Sequence, residues 1–265
     1  MRGISLPIFK TKTAGVNEKF HLEDPAERRK YFDAKAGSEM AKLRKFLEKG
    51  NTFVGFMLGP KNSGKGTYSK LFKEAVGLDS IAHISVGDMV RAAHQILMDG
   101  SQKNELIDFL QRHYRGFISL EQALDVILGR DTHTLLPTEI ILALVEREID
   151  KLGRRAIFID GFPRNLDQVS YSLYFRALIG YRDDPDFFVF IDVPEAVIDE
   201  RMKYRVVCPG CHTPRNIKLL RTKEIEYDHA TGAFRLLCDN PDCAGFGKMR
   251  MVAKEGDALG IEAIR

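Results

Sequence analysis

Three groups of residues in this sequence have types and spacings suited to chemistry. The first is Gly-Pro-Lys-Asn-Ser-Gly-Lys-Gly-Thr, residues 59–67, in which four residues separate Gly59 from Gly64-Lys65. At that spacing the backbone N–H groups of a glycine-rich turn point inward at an anion, and the following helix offers its positive N-terminus. Gly59, Asn62, Ser63, Gly64, Lys65, Gly66 and Thr67 are therefore the candidate phosphate cradle. Gly66 stands where a hydroxyl residue usually follows the lysine, and the hydroxyl comes one residue later at Thr67. An ordinary glycine turn is the bland alternative. The apolar run 52–58 before the loop and the helical pattern 68–75 after it favour phosphate, because such a loop needs a strand on one side and a helix on the other.

The second group is the cysteines. Cys208-Pro-Gly-Cys211 and Cys238-Asp-Asn-Pro-Asp-Cys243 are a CxxC pair and a CxxxxC pair with 26 residues between them. Each pair fits a tight turn whose two thiolates face one way, and two such turns facing each other give the tetrahedral sulfur site that Zn²⁺ prefers. Two disulfides are the rival, but nothing else in the sequence suggests export. The third group lies in the stretches 83–91, 157–168 and 197–205, which read His-Ile-Ser-Val-Gly-Asp-Met-Val-Arg, Ile-Phe-Ile-Asp-Gly-Phe-Pro-Arg-Asn-Leu-Asp-Gln and Val-Ile-Asp-Glu-Arg-Met-Lys-Tyr-Arg. They bring arginines to the places where predicted strands end, and the planar, always charged fork of arginine grips phosphate oxygens bidentately.

The elements that must position these groups follow from periodicity. Residues 52–58, 81–85, 156–160 and 187–192 are short apolar runs separated by helical stretches, the pattern of a parallel, doubly wound α/β sheet. Ligands of such sheets bind at the strand ends, where the arginine-bearing stretches fall. About seventy residues separate the second and third strands, far more than a crossover needs. Helical periodicity at 104–113, 120–128 and 138–151 marks that excess as a small, mobile helical subdomain. Before the first strand, Asp24-Pro-Ala-Glu27 reads as a capping box, and Ser38 reads as the cap of a second helix bearing Met40, Leu43, Phe46 and Leu47 on one stripe. The acidic residues there argue against a transit peptide.

Composition excludes several classes. The 265 residues, 44% of them hydrophobic, suffice for one sizeable core. No apolar run approaches the roughly 20 residues of a membrane span, and no signal peptide is legible, so a cytoplasmic location is the default. Forty basic against 37 acidic residues give a formal charge of +3, too balanced for nucleic-acid binding driven by the whole-molecule field.

In sequence order, the loop and the three arginine-bearing stretches closely resemble the adenylate kinase family of nucleoside monophosphate kinases, over about residues 52–265 apart from an extra two dozen or so in the helical insertion. The resemblance implies a P-loop core at 51–85 and 156–205, a monophosphate-binding helical subdomain at 86–155, a zinc-ribbon-like lid at 206–253 and a return to the core at 254–265. Residues 1–50 are an N-terminal extension. It further implies a monomeric enzyme that moves the γ-phosphoryl of ATP, bound with Mg²⁺, to a nucleoside monophosphate, AMP being the first choice. Lys65 would neutralise the β and γ phosphates, Arg201 would lie on the adenine face, and Arg205 would lie near the transferring phosphate. Arg91 and Arg164 would hold the acceptor phosphate, with Val86 and Gly161 in the acceptor site and Gln168 reading the base. Asp160 would order the waters around Mg²⁺. Arg265 would correspond to a family arginine that completes the phosphate cage together with Lys65, Arg164 and Arg205. The cysteine cluster falls where the family carries its lid, and lids of many bacterial members hold a structural Zn²⁺.

Some residues keep bland readings. Arg201 and Arg205 could be a solvated pair on one helix face. Asp88 could cap the helix after Gly87, and His83 reads as a packed core histidine. Val86 stands where many adenylate kinases carry a threonine, and Asn165 is reminiscent of UMP/CMP kinases, which are the alternative, while Gln168 follows the adenylate kinase pattern. A catalytically silent nucleotide- or nucleic-acid-binding zinc protein is the alternative of another class. The second cysteine pair is wider than the usual CxxC. Lys254 stands where an arginine is common, and the apolar stripe begun by Ile261 and Ile264 stops at once, so the chain reads as truncated. Its sheet would then have four strands, with the last an unprotected edge.

Overall fold

The apolar runs between the helical stretches pair as a parallel sheet. The computed structural model describes residues 19–22, 24–77, 79–131, 136–163, 185–218, 221–230 and 232–253. Strands β1 (Val54–Leu58), β2 (Ile81–Ser85), β3 (Ala156–Asp160) and β4 (Asp186–Phe190) lie in the order β2-β3-β1-β4. All three pairings are parallel, and the register sets Met57 and Ser85 beside Asp160, so the strand ends come level. Asp160 thus sits at the carboxyl end of a strand flanked on both sides, where an open α/β sheet binds ligands. β3 is buried at four of its five positions, whereas the outer strand β4 leaves Phe187, Phe188 and Phe190 exposed. Among the described strands β4 pairs with β1 alone.

Parallel neighbours need long crossovers, and helices supply them. Helix α2 (Lys65–Val76) joins β1 to β2, and four helices fill the long interval from β2 to β3: α3 (Val86–Asp99), α4 (Lys103–His113), α5 (Leu120–Ile127) and α6 (Thr138–Leu152). The last three fall where periodicity puts them. Their boundaries have local causes. The Ser85 side chain accepts from the Asp88 N–H to start α3, Gly100 ends it at φ 79°, and Ser119 with Gln122 makes a reciprocal capping box for α5. Leu106, Leu110, Ala123 and Ile140 are wholly buried and share one cluster with Phe56, Ile84, Ile157 and Ile159 of the sheet. The inserted helices and the sheet therefore have a common core.

The described residues of 45–73 and 78–192 form one compact unit, and those of 1–44, 74–77 and 193–265 form another. The extension is helical from Pro25 to Glu48 (α1), and it consists of two helical segments that meet at a kink at Ala36 (φ −148°, ψ 26°), in keeping with the two helices expected there. Asp24 does cap it, accepting from the Ala26 N–H at 2.8 Å. The Ser38 hydroxyl donates to the Glu39 carboxylate at 2.7 Å. After α7 (Glu195–Lys203) come two small antiparallel sheets. Strands β5 (Arg205–Val207), β6 (Pro214–Asn216) and β9 (Val252–Ala253) are ordered β6-β5-β9, and β7 (Ile225–Asp228) pairs with β8 (Ala233–Leu236). Their core is a handful of side chains, Val206, Leu236 and Met251 with Cys208, Cys238 and Cys243. Among the described residues no helix is long and apolar enough to cross a membrane.

Candidate active site and candidate metal centre

The loop after β1 needs its glycines for different reasons. A Cβ on Gly59 (φ 138°) would lie 2.5 Å from the Ile191 carbonyl oxygen, so the close approach of the chain just after β4 excludes any other residue. Asn62 (φ 66°) and Gly64 (φ 101°) take left-handed conformations within the loop, and such alternation turns successive N–H groups toward a common concavity. Gly66 is a helical residue whose Cβ would make ordinary contacts, 3.5 Å from Asp160 Oδ2. Lys65 opens α2, and its ammonium donates to the carbonyls of Gly59 at 3.1 Å and Pro60 at 2.8 Å. It also lies 3.9 Å from Asp160 Oδ1. A lysine held over a nest of N–H groups, with a carboxylate beside it, is an arrangement that can take a polyphosphate and a hard cation together.

The structure describes some of the expected residues and not others. Val86 is buried in the first turn of α3, among the core side chains. Arg91 folds back over that turn, ion-paired with Asp88 and close to Gly87. Asp88 is therefore the partner of Arg91 and not the helix cap, a task Ser85 performs because its side chain already sits at the strand end. Gly161 follows Asp160 with φ 90°. Arg164 and Gln168, and Arg265 with Lys254, lie outside the described residues. Arg201 is in the last turn of α7 and Arg205 is the first residue of β5, so the two do not share a helix: the helix stops at Lys203 because the chain turns there into the antiparallel pair with β6. Both are half-buried.

His83 is half-buried on β2, and among the described residues its Nε2 has no hydrogen-bond partner. Its Cε1 lies 3.8 Å from where a Gly66 Cβ would be. Burial, helped by the Lys70 charge and opposed by Asp88, holds it down to about 4, so the ring is neutral near pH 7. A folded-state value below the ordinary 6.5 means stability that is complete above about 6.5 and is lost as pH falls toward 4. We expect the unfolding free energy to drop by roughly 2 kcal/mol from this group alone between about pH 7 and about pH 5. His83→Gln should flatten that dependence in urea titrations, and an equal slope in both proteins would refute it.

The cysteines converge. All four are free, and their sulfurs lie within 4.8 Å of one another. Cys208 and Cys243 are 3.9 Å apart, and Cys211 and Cys238 are 3.6 Å apart. Four thiolates at about 2.3 Å from one tetrahedral Zn²⁺ would stand about 3.8 Å apart, so the donor set and its spacing fit that ion. Burial pushes the Cys211 thiol up, but hydrogen bonds with Thr213 and Asn240 outweigh it and hold the group at about 6, while burial drives Cys238 upward. The Gly245 N–H donates to Cys243 Sγ at 3.3 Å. Met249 closes one side, its sulfur 3.4 Å from Cys208, and a Cβ on Gly245 would come within 2.5 Å of the Met249 Cβ. Sequence spacing found the four cysteines but missed Thr213, Asn240 and Met249, which follow a cysteine closely in the chain and have no motif of their own.

A nucleotide loop on the central strand of a parallel sheet defines the P-loop class, and a family model described as an AAA domain matches residues 58–206. Curated relatives narrow the class. The chain is 30% identical over 201 residues to the adenylate kinase of Thermotoga petrophila, which covers 76% of this chain and 72% of that protein. It is 30% identical over 184 residues to that of Hydrogenobaculum (69% and 70%) and 33% identical over 168 residues to that of Clostridium acetobutylicum (63% and 66%). The chain belongs to the adenylate kinase family of nucleoside monophosphate kinases.

Proposed function

We propose that the protein transfers the γ-phosphoryl of ATP to a nucleoside monophosphate, AMP by preference. The observation that carries this reading is Lys65, held by the Gly59 and Pro60 carbonyls 3.9 Å from Asp160 above the concave loop. Phosphoryl transfer requires alignment and positive charge far more than covalent help. Lys65 and the loop N–H groups bind and orient the donor phosphates. Arg91, once released from Asp88, grips the acceptor phosphate with Arg164, while Arg201 and Arg205 lie against the donor. Val86, Gly161 and Gln168 shape the acceptor-base site, and Arg265 completes the cage. Asp160 would hold Mg²⁺ through water, and the ion would supply charge neutralisation to the donor phosphates. Residues 86–155 serve the acceptor and 206–253 close over the donor as a lid, excluding water that would otherwise take the phosphoryl group. Cys208, Cys211, Cys238 and Cys243 hold a structural Zn²⁺ in that lid.

The test is ADP formation from ATP with AMP, repeated with UMP, CMP and GMP. Transfer to AMP above the others supports the reading, preference for UMP or CMP replaces the acceptor, and no transfer to any of them overturns it. Arg164→Ala should raise the KM for the monophosphate by about tenfold or more while changing that for ATP far less, because loss of a bidentate phosphate grip falls on one substrate. Equal losses for both would remove Arg164 from the acceptor side.

A further inference from the structure

We propose that the N-terminal helix is a second anchor of the lid, in which the acidic first turn of α1 holds the loop 221–225 while two arginines fasten α1 to the end of the phosphate-loop helix. The chain of contacts lies within one compact unit. Arg28, only 5% exposed, donates to both Glu74 carboxylate oxygens, at 3.1 and 3.3 Å, and to the Leu22 carbonyl at 2.8 Å. Arg44 donates to the carbonyls of Val76 at 2.7 Å and Ala75 at 2.8 Å. These are carbonyls that the end of α2 leaves without helical partners, so α1 caps the helix whose first residue is Lys65.

The end of α1 that carries Arg28 also meets the lid. Asp24 divides its carboxylate between two tasks: Oδ1 accepts from the Ala26 N–H as the helix cap, and Oδ2 lies 3.6 Å from Lys223 Nζ. His21, Asp24 and Glu27 share a cleft of about 470 Å³ with Arg221, Thr222, Lys223 and Ile225, acidic groups on the helix side and basic ones on the loop. An exposed ion pair alone holds weakly. Thr222 adds to it: it is 2% exposed, and its hydroxyl donates to the Glu224 carbonyl at 2.9 Å, which fixes the loop where it meets α1. The ribbon between Cys211 and Cys238 keeps Ile225, Tyr227 and Phe234 exposed. Within the lid it is held by Leu236 in the small core and by Arg250, which donates to both Glu226 oxygens at 2.7 Å. The contact with α1 is a second attachment, at residues 221–225.

Naming residues 206–253 a lid rests on the function proposed above, but the contact does not, and the test reads the contact directly. Amide hydrogen exchange is followed in the full, zinc-loaded chain and in Lys223→Glu, Asp24→Asn, the double variant and Lys223→Arg. Asparagine caps helices about as well as aspartate, so Asp24→Asn removes the charge without unwinding α1. We expect residues 221–228 to exchange about fivefold faster in Lys223→Glu and in Asp24→Asn, and at about the parental rate in Lys223→Arg. The double variant should be no faster than the faster single one, since both remove one contact. Unchanged exchange in both single variants, additive effects, or equal acceleration through 238–251 would each overturn the anchor. Because exchange needs no turnover, failure of the kinase reading would leave this result legible.

Discussion

Lys65→Ala is expected to lower phosphoryl transfer by about a thousandfold or more, with the fold intact. The ammonium is the fixed charge of the loop, held by two backbone carbonyls and close to Asp160. A charge placed where negative charge must be neutralised in transfer acts in a partly dry site, where removing even one neutral donor costs about a hundredfold or more. Alanine is a good helix former at the first turn of α2, and the two freed carbonyls lie at a loop that water can reach, so the melting temperature should shift little. Single-turnover kinetics with ATP and AMP, beside circular dichroism of the same sample, make the check. A variant that keeps near-full transfer would end the phosphate assignment.

The second large effect is expected from the cysteine cluster. Protein prepared without chelators or oxidants should carry one Zn²⁺ per chain, and chelation should unfold the region 206–253 before the sheet loses structure. The reason is size: apart from the cysteines, the core of those small sheets consists of Val206, Leu236 and Met251, far too little apolar area to hold about fifty residues, and four thiolates on one ion would supply what packing cannot. Cys211→Ser should lower the unfolding temperature of the lid and reduce transfer, while ATP binding at the Lys65 loop survives because that loop belongs to the other compact unit. Tryptic cleavage and elemental analysis, with and without chelator, follow both effects. Absence of metal in such a preparation would remove the staple from the account.

Much of this was legible because it is local. The loop 59–67, the four strands and the helices at 103–113, 120–127 and 138–152 follow from glycine spacing, apolar runs and 3.6-residue periodicity, each set by backbone sterics within a few neighbouring residues. The cysteine pairs announced themselves because each pair needs only one turn. What periodicity could not see was the end of α7 at Lys203, which separates Arg201 from Arg205. That end depends on what the chain meets next.

The sequence by itself determined which residues could bind phosphate and metal, since those chemistries demand particular groups at short, fixed separations. Only the tertiary structure decided their partners. Asp160 comes beside Lys65 because parallel pairing sets β3 against β1, Met249 lies against Cys208, 41 residues before it, and Arg28 and Arg44 are ordinary surface-helix arginines in sequence yet bind Glu74 and the end of α2. Contacts between residues far apart in the chain carry no spacing rule, because the loop that separates them can be almost any length at little cost in closure entropy.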